Sequence, residues 1–487
     1  MSGYRTLHRI KPSKQDGDES SSPPPPIWRV RFSPCRSSAP SSSSSLPSSS
    51  PSPLRLLAAG ASNTIQCYSL TERTNKDANT DDILDASAMS VECTDCLVSK
   101  EYGDCVDDGD GAAFVPSRAT LGYAALDIAR NYCGADPASG SEIVVASQLG
   151  GKVCVWFRLD PMLIEKGMSV ATEDEPATTT RENTKYIRPH AEFSIDAATG
   201  TTLAIRPPTL GNYYTKKETD IIVALGCANG AVILCKTGIL AARPGGGENA
   251  GSSSVVIGDS SSSVGESINV LSKSTPGEIV ATVGGGHACV MSLAFHPTIP
   301  NSFAVGRKDG TIDIYSSADN GGYNDFSFRR MHRLVHSSFP IRALSFSKPD
   351  GALLFAGDDG GNLYSYDASC NNEHTHMSAP VKLVACALAA HKGWIMNLTP
   401  FPDGRRVATC GSDRSARVWD CGMGLASGTP VHSFEGAHDG LVWGVDCGSV
   451  VGASNGGIGA GRVSGGDRVK LISCGNDGVM QVFSCGE

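Results

Sequence analysis

One recurring pattern constrains this chain more than any other feature. Across residues 391–420 it runs His391, a strand-like stretch at 394–398, Pro402-Asp403-Gly404, a second stretch at 406–409, Gly411-Ser412-Asp413, and a third stretch at 416–420 ending in Trp419-Asp420. The same order returns at 287–316, with His287, stretches at 290–295, 303–306 and 311–315, and Lys308-Asp309-Gly310 before the last. It returns again at 336–367, with His336, Pro349-Asp350-Gly351 and Asp358-Asp359-Gly360. A fourth copy at 438–485 has a long insert: His438, 442–445, 469–473, Asn476-Asp477-Gly478 and 479–483. With these anchors, three weaker copies emerge upstream, at 27–34 with 56–70, at 123–128 with 143–157, and at 201–205 with 221–236.

Each copy holds short alternating runs separated by Asp-Gly, Asn-Gly or Gly-Gly, the residues that tight hairpins demand. A period of about 40–45 residues ending in Trp-Asp is the signature of a propeller blade. Seven copies therefore predict an all-β, seven-bladed propeller using about 280–315 residues. Length alone would divide 487 residues into about two to four domains; the repeat replaces these with one ring over 1–487. The blades are expected at 27–70, 97–159, 185–237, 275–317, 328–368, 381–420 and 429–485. The last copy ends after its third run, and the alternating residues 4–10 are expected to supply the missing outer strand, closing the ring and hiding an edge. Ser, Pro, Gly and acid-rich stretches at 11–26, 34–53, 71–96, 160–184, 241–274 and 448–467 lack the apolar content of a second core and read as disordered loop insertions.

Composition narrows the partners. A net charge of −9 with 19% charged residues gives no global basic field, so direct nucleic-acid binding is not expected. The longest apolar runs, at 221–225 and 384–390, fall far short of the roughly 18 residues of a membrane span. The 17 cysteines are odd in number, and Cys67, Cys154, Cys235, Cys410 and Cys474 occupy buried-strand positions, as free thiols do in a reducing compartment. Cys93 and Cys96 have CxxC spacing, with Cys105 following, but no second pair or His completes a zinc site. Gly284-Gly285-Gly286 does not open a helix, Gly150-Gly151-Lys152 lacks the rest of a phosphate loop, and the acidic run 104–110 lacks the Glu of a calcium loop. No cofactor or metal is expected.

His391, Thr409, Asp413 and Trp419 resemble at first sight a catalytic constellation. His438, Ser473 and Asp477, with Phe483 in place of the Trp, repeat it in the last blade, and a triad has no reason to recur as a degraded repeat. In the WD-repeat family, which these residues resemble, the set is a structural network. Asp309 and Asp359 keep the turn carboxylate in the fourth and fifth copies, with Val305 and Phe355 at the hydroxyl position, so those blades are expected to be looser. No catalytic residue is expected. A partner is expected instead at the central mouth, where the innermost strands begin with Trp28, Ala124, Thr201, Met291, Arg342, Met396 and Trp443, and where Trp394 lies slightly further out. Trp, Arg and Met are the residue types of interface hot spots. The candidate partner-binding set is therefore Trp28, Met291, Arg342, Trp394, Met396 and Trp443.

Pro340-Ile-Arg-Ala-Leu-Ser-Phe-Ser, His391-Lys-Gly-Trp-Ile-Met-Asn-Leu, Val418-Trp-Asp, His432-Ser-Phe-Glu and Val442-Trp-Gly-Val445 are similar to one WD-repeat subgroup. That subgroup is the propeller subunit of the superkiller (Ski) complex, shared with the RNA polymerase II-associated factor complex. The resemblance implies a non-catalytic scaffold in cytoplasm and nucleus. Its implied partners are a tetratricopeptide-repeat protein and an RNA helicase in exosome-linked mRNA decay, or polymerase-associated factors in transcription elongation. The alternatives are a generic WD-repeat adaptor and a substrate receptor of a cullin ubiquitin ligase. Such receptors commonly carry Trp-Asp-x-Arg, whereas Trp419-Asp420 is followed by Cys421-Gly422.

Overall fold

The computed structural model describes residues 5–11, 24–33, 54–62, 64–72, 89–99, 122–132, 140–159, 169–171, 178–181, 184–207, 220–240, 267–269, 274–286, 288–299, 301–317, 326–369, 380–450 and 468–485. Strands in these segments form eight sheets, seven of them blades built on antiparallel pairs, and the chain folds as a seven-bladed β-propeller. From the channel outward, blade 6 is Ile395–Pro400, Arg406–Gly411, Ala416–Asp420 and His432–Phe434. Blades 2 to 5 repeat this four-strand order, and blade 7 begins with Val442–Val450, Arg468–Gly475 and Met480–Cys485. Its outermost strand is Arg5–Ile10, paired antiparallel with Met480–Cys485. The first and last described strands thus share one sheet; Tyr4, also expected in the closing strand, lies outside the described residues.

Seven apolar clusters hold the ring, one at each junction between adjacent blades. The junction of blades 7 and 1, for example, packs Ile472, Met480 and Val482 against Val30, Leu56 and Tyr68. A blade is covered on both faces, so its second strand is apolar at nearly every position rather than alternating. Ser302–Arg307 is buried throughout, as is Asp220–Cys227 after its first residue. Buried free cysteines follow from the same geometry: Cys410 and Cys474 lie in second strands, and Cys67, Cys154 and Cys235 in the third strands beside them. Burial pushes the Cys67, Cys235 and Cys474 thiols up to about 12, keeping them neutral.

The structure departs from the sequence reading in the stretches taken as insertions. Residues 71–96 contain most of Met89–Val98, which pairs with Thr64–Glu72 as the outer strand of blade 1. Thr184–Ile187 adds to the same sheet in parallel and Thr178–Arg181 follows it, so blade 1 has six strands. Ser169–Ala171 pairs in parallel with Ser267–Asn269, and Val442–Val450 runs into the last insertion. An outer strand buries only one face, so its polar half masks its alternation. Segments of the expected insertions outside the described residues include 34–53 and 451–467. Among the described residues the one α-helix, Met423–Ser427, is short, and no helix is long and apolar enough to cross a membrane.

Candidate interaction site at the channel mouth

The inner strands share one irregularity. Their pairing with the second strand skips a residue between Ile27 and Arg29, Tyr123 and Ala125, Val290 and Ser292, Ile341 and Ala343, Ile395 and Asn397, and Val442 and Gly444. The skipped residues are Trp28, Ala124, Met291, Arg342, Met396 and Trp443. In blade 3 a wider irregularity, between Ala198 and Leu203, contains Thr201. A β-bulge re-aims its side chain out of the pleat, so six of the seven positions singled out in sequence lie on one structural device around one end of the channel.

Their environments differ. Trp28, Met291, Arg342 and Trp443 are half-buried, Trp394 is 47% exposed, and Met396 is only 2% exposed. Met396 therefore belongs to the apolar junction of blades 6 and 7, against which Trp443 packs, and is not a surface contact. Arg342 organises the rim between blades 5 and 6. Its guanidinium donates two hydrogen bonds of 2.7 Å to Asp359 and lies 5.0 Å from the centroid of the Trp394 ring. The Trp394 N–H donates to Ser412 Oγ at 2.8 Å, fixing the base of that side chain. Phe339, absent from the sequence reading, precedes the inner strand of blade 5 and adds an apolar ring at 48% exposure. Phe339 lies over Gly360, where a Cβ would come within 2.6 Å of its ring.

Four charged residues deeper in the channel were also missed. Arg29 Nη1 donates to the carbonyls of Trp28 and Trp443 at 3.1 and 3.3 Å, tying blade 1 to blade 7. Burial, with Arg31 adding to it, holds this guanidinium down to about 10. Three residues past each bulge come Arg31, Asp127 and Asp446. Asp127 accepts the Ile205 N–H and Asp446 the Phe32 N–H, both at 2.8 Å, so each carboxylate clamps the next blade at the same place. Burial raises the Asp127 carboxyl, with Arg31 at 3.9 Å opposing it. The signal in sequence was the spacing of three from the bulge residue.

The polar set of blade 6 is internal. Trp419 Nε1–H donates to Thr409 Oγ1 at 2.9 Å, the Thr409 hydroxyl donates to His391 Nε2 at 2.8 Å, and His391 Nδ1–H donates to Asp413 at 2.9 Å. Burial keeps His391 neutral by lowering its pKa. Burial would raise the Asp413 carboxyl, but hydrogen bonds from His391 and Ser415 outweigh it and hold the group well below the usual carboxylate range. In blade 7, His438 bonds Ser473 at 2.8 Å and Asp477 at 3.0 Å. Gly411 and Gly475 make room: a Cβ there would lie 2.5 and 2.7 Å from Nδ1 of His391 and His438.

Strand register corrects the reading of blades 4 and 5. The partners of Ile395 and Val442 are Gly411 and Gly475, and the equivalent partners of Val290 and Ile341 are Arg307 and Asp358. A charged side chain thus stands where blades 6 and 7 leave space for a His ring. Arg307 is fully buried and bonds Asp313 at 2.8 Å, Gly230 O at 2.7 Å and Tyr315 at 3.3 Å. Asp358 accepts from Ser337 at 2.7 Å, the Asn362 N–H at 2.8 Å and Tyr364 at 3.2 Å. Asp359 is one position out of register and pairs with Arg342, while Asp309 caps its own turn through Thr311. These blades are not simply missing the network; each carries a different one. His287 lies outside the described residues.

Among known proteins, the family described as "WD domain, G-beta repeat" matches residues 382–420. The chain is also 27% identical over 146 residues to Actin-interacting protein 1 of Drosophila melanogaster. That match takes in 30% of this chain and 21% of the relative, so the chain spans about a fifth of that protein's length. Together with the seven-bladed ring, these similarities support a WD-repeat propeller fold and a scaffold or adaptor role of the kind such propellers generally serve.

Proposed function

We propose that this chain is a non-catalytic WD-repeat scaffold that docks protein partners on the channel mouth between blades 4 and 1. The observation that carries the reading is the asymmetry of the bulge positions. Trp28, Met291, Arg342 and Trp443, with Trp394 and Phe339 beside them, gather on one arc, whereas blades 2 and 3 offer Ala124 and Thr201. Large apolar and Arg side chains on a concave rim are what protein hot spots are made of. The buried His391–Thr409–Asp413–Trp419 set is committed to internal hydrogen bonds, which favours a structural role over catalysis.

The finer assignment is a Ski-type complex for exosome-linked mRNA decay, a polymerase II-associated elongation complex, or both, in cytoplasm and nucleus. It rests on the motif resemblance at 340–347, 391–398 and 432–445. Affinity purification with mass spectrometry tests it. Recovery of a tetratricopeptide-repeat protein with an RNA helicase supports the first complex and elongation-factor subunits the second; cullin adaptors in their place overturn both. The similarity to Actin-interacting protein 1 adds one control, cosedimentation with actin filaments, and saturable binding there with neither complex recovered would also overturn the assignment.

A further inference from the structure

The outer strand of blade 4 differs from the other outer strands in charge. It is Phe328–Val335, Phe-Arg-Arg-Met-His-Arg-Leu-Val, and Arg329, Arg330 and Arg333 are exposed. The strand pairs on its inner side with Thr311–Ser317; among the described residues its outer side has no strand partner. The row of N–H and C=O groups on such an edge is a template for strand addition. A bulge at Met331, between the pairs of Ile314 and Tyr315, turns the strand so that Arg330 and Arg333 lie 3.8 and 3.6 Å from the same Asp313 oxygen. The other Asp313 oxygen is already bound to Arg307 at 2.8 Å. Among the described residues, the exposed guanidiniums of Arg330 and Arg333 thus share a carboxylate that Arg307 already occupies, and Asp309 lies 4.0 Å from Arg333, in a chain whose net charge is −9.

Charges and bulges are ordinary guards of an exposed edge, yet the other outer strands carry no comparable run of arginines. Ala191–Ser194, Ile279–Gly284 and His432–Phe434 carry no Lys or Arg, Lys382–Ala387 carries one Lys, and Thr178–Arg181, the edge of blade 1, carries one Arg. Arg5–Ile10 has two arginines, but its Arg9 is held by Asp439 at 3.2 Å. Among the described outer strands, a run of three exposed arginines thus occurs on blade 4 alone. We propose that this edge is a second docking surface, separate from the mouth, which accepts an extended acidic segment of a partner protein as a fifth strand of the blade. Backbone hydrogen bonds supply the pairing, and alternate Asp or Glu side chains on one face reach Arg330 and Arg333, with Arg329 on the opposite face adding to the positive field.

The test uses the full chain and a capped, fluorescein-labelled peptide of alternating Glu and Val, with binding read by fluorescence anisotropy at low salt. The peptide is expected to bind and to weaken as salt rises. Affinity should fall about tenfold in Arg329→Gln/Arg330→Gln/Arg333→Gln, the loss of two surface charge pairs and of the field of a third charge. It should fall similarly when a central Val of the peptide is replaced by Pro, which removes a ladder donor. Amide hydrogen exchange on the unaltered protein should show peptide-dependent protection over 328–335, a readout that stands even if the triple variant does not fold. No binding, unchanged affinity in the folded variant, or no protection over 328–335 would overturn the proposal. So would equal binding of the Pro-interrupted peptide and of duplex DNA, which would mean a polyanion surface without strand addition.

Discussion

Thr409 carries more of blade 6 than its size suggests, because one hydroxyl serves both Trp419 and His391. Thr409→Val keeps the shape and strands two buried groups, each costing about 1–3 kcal/mol when unpaired. Ser473→Ala in blade 7 strands only His438, since Phe483 stands at the Trp position. Chemical denaturation is therefore expected to show the larger loss for Thr409→Val; a costlier Ser473→Ala would contradict the network. Histidine burial sets the acid response. His190 and His296 are held down to about 4 by burial, and His391 is lowered for the same reason. Between that value and the ordinary 6.5 the unfolded chain binds protons that the folded one does not, so stability rises with pH, by about 1.4 kcal/mol per unit for each group. The denaturation midpoint should fall steadily from pH 7 to pH 4.5, and a flat profile would show that these rings are solvated.

At the scale of the element, what could be read in advance depended on how many faces a strand buries. Second and third strands such as Ser302–Arg307 and Thr311–Ser317 are covered on both sides and stood out as apolar runs between turn residues. Met89–Val98, with Thr94 and Asp95 among its residues, buries one face and was taken for loop. The bulge positions were found because they precede a fixed apolar pattern, but their depth was not, and so Met396 was placed at the surface though it is buried. The register error at Asp359 has a similar cause: Asp358-Asp359-Gly360 fits the turn in more than one alignment, and pairing of Ile341 with Asp358 places Gly360, not Asp359, level with Asp413. The closing strand is the element whose role is simplest to test. Ile10 is buried between blades 7 and 1, and Arg5–Ile10 covers the edge of Met480–Cys485. Removing residues 1–11 is expected to lower the thermal midpoint and to produce concentration-dependent oligomers by gel filtration, as an uncovered edge recruits another chain. A monomer of unchanged stability would contradict the closure.

For the whole molecule, seven similar junctions make a rigid ring, and variation at equivalent positions distinguishes one arc from another. The ring and its blade number were legible because the repeat is periodic. Arg29 and Asp446 were not, because they acquire their partners only when blades 7 and 1 meet. The central claim is that the aromatic arc of the mouth holds the partner. Its most direct test is quantitative recovery of copurifying proteins by Trp28→Ala/Trp443→Ala and, separately, by Trp394→Ala, whose half-exposed ring leaves the core untouched, with circular dichroism recorded on each. The account predicts a loss of at least about thirtyfold in affinity, that of one hot-spot aromatic, with the β-rich spectrum intact. Undiminished recovery by both folded variants would contradict it.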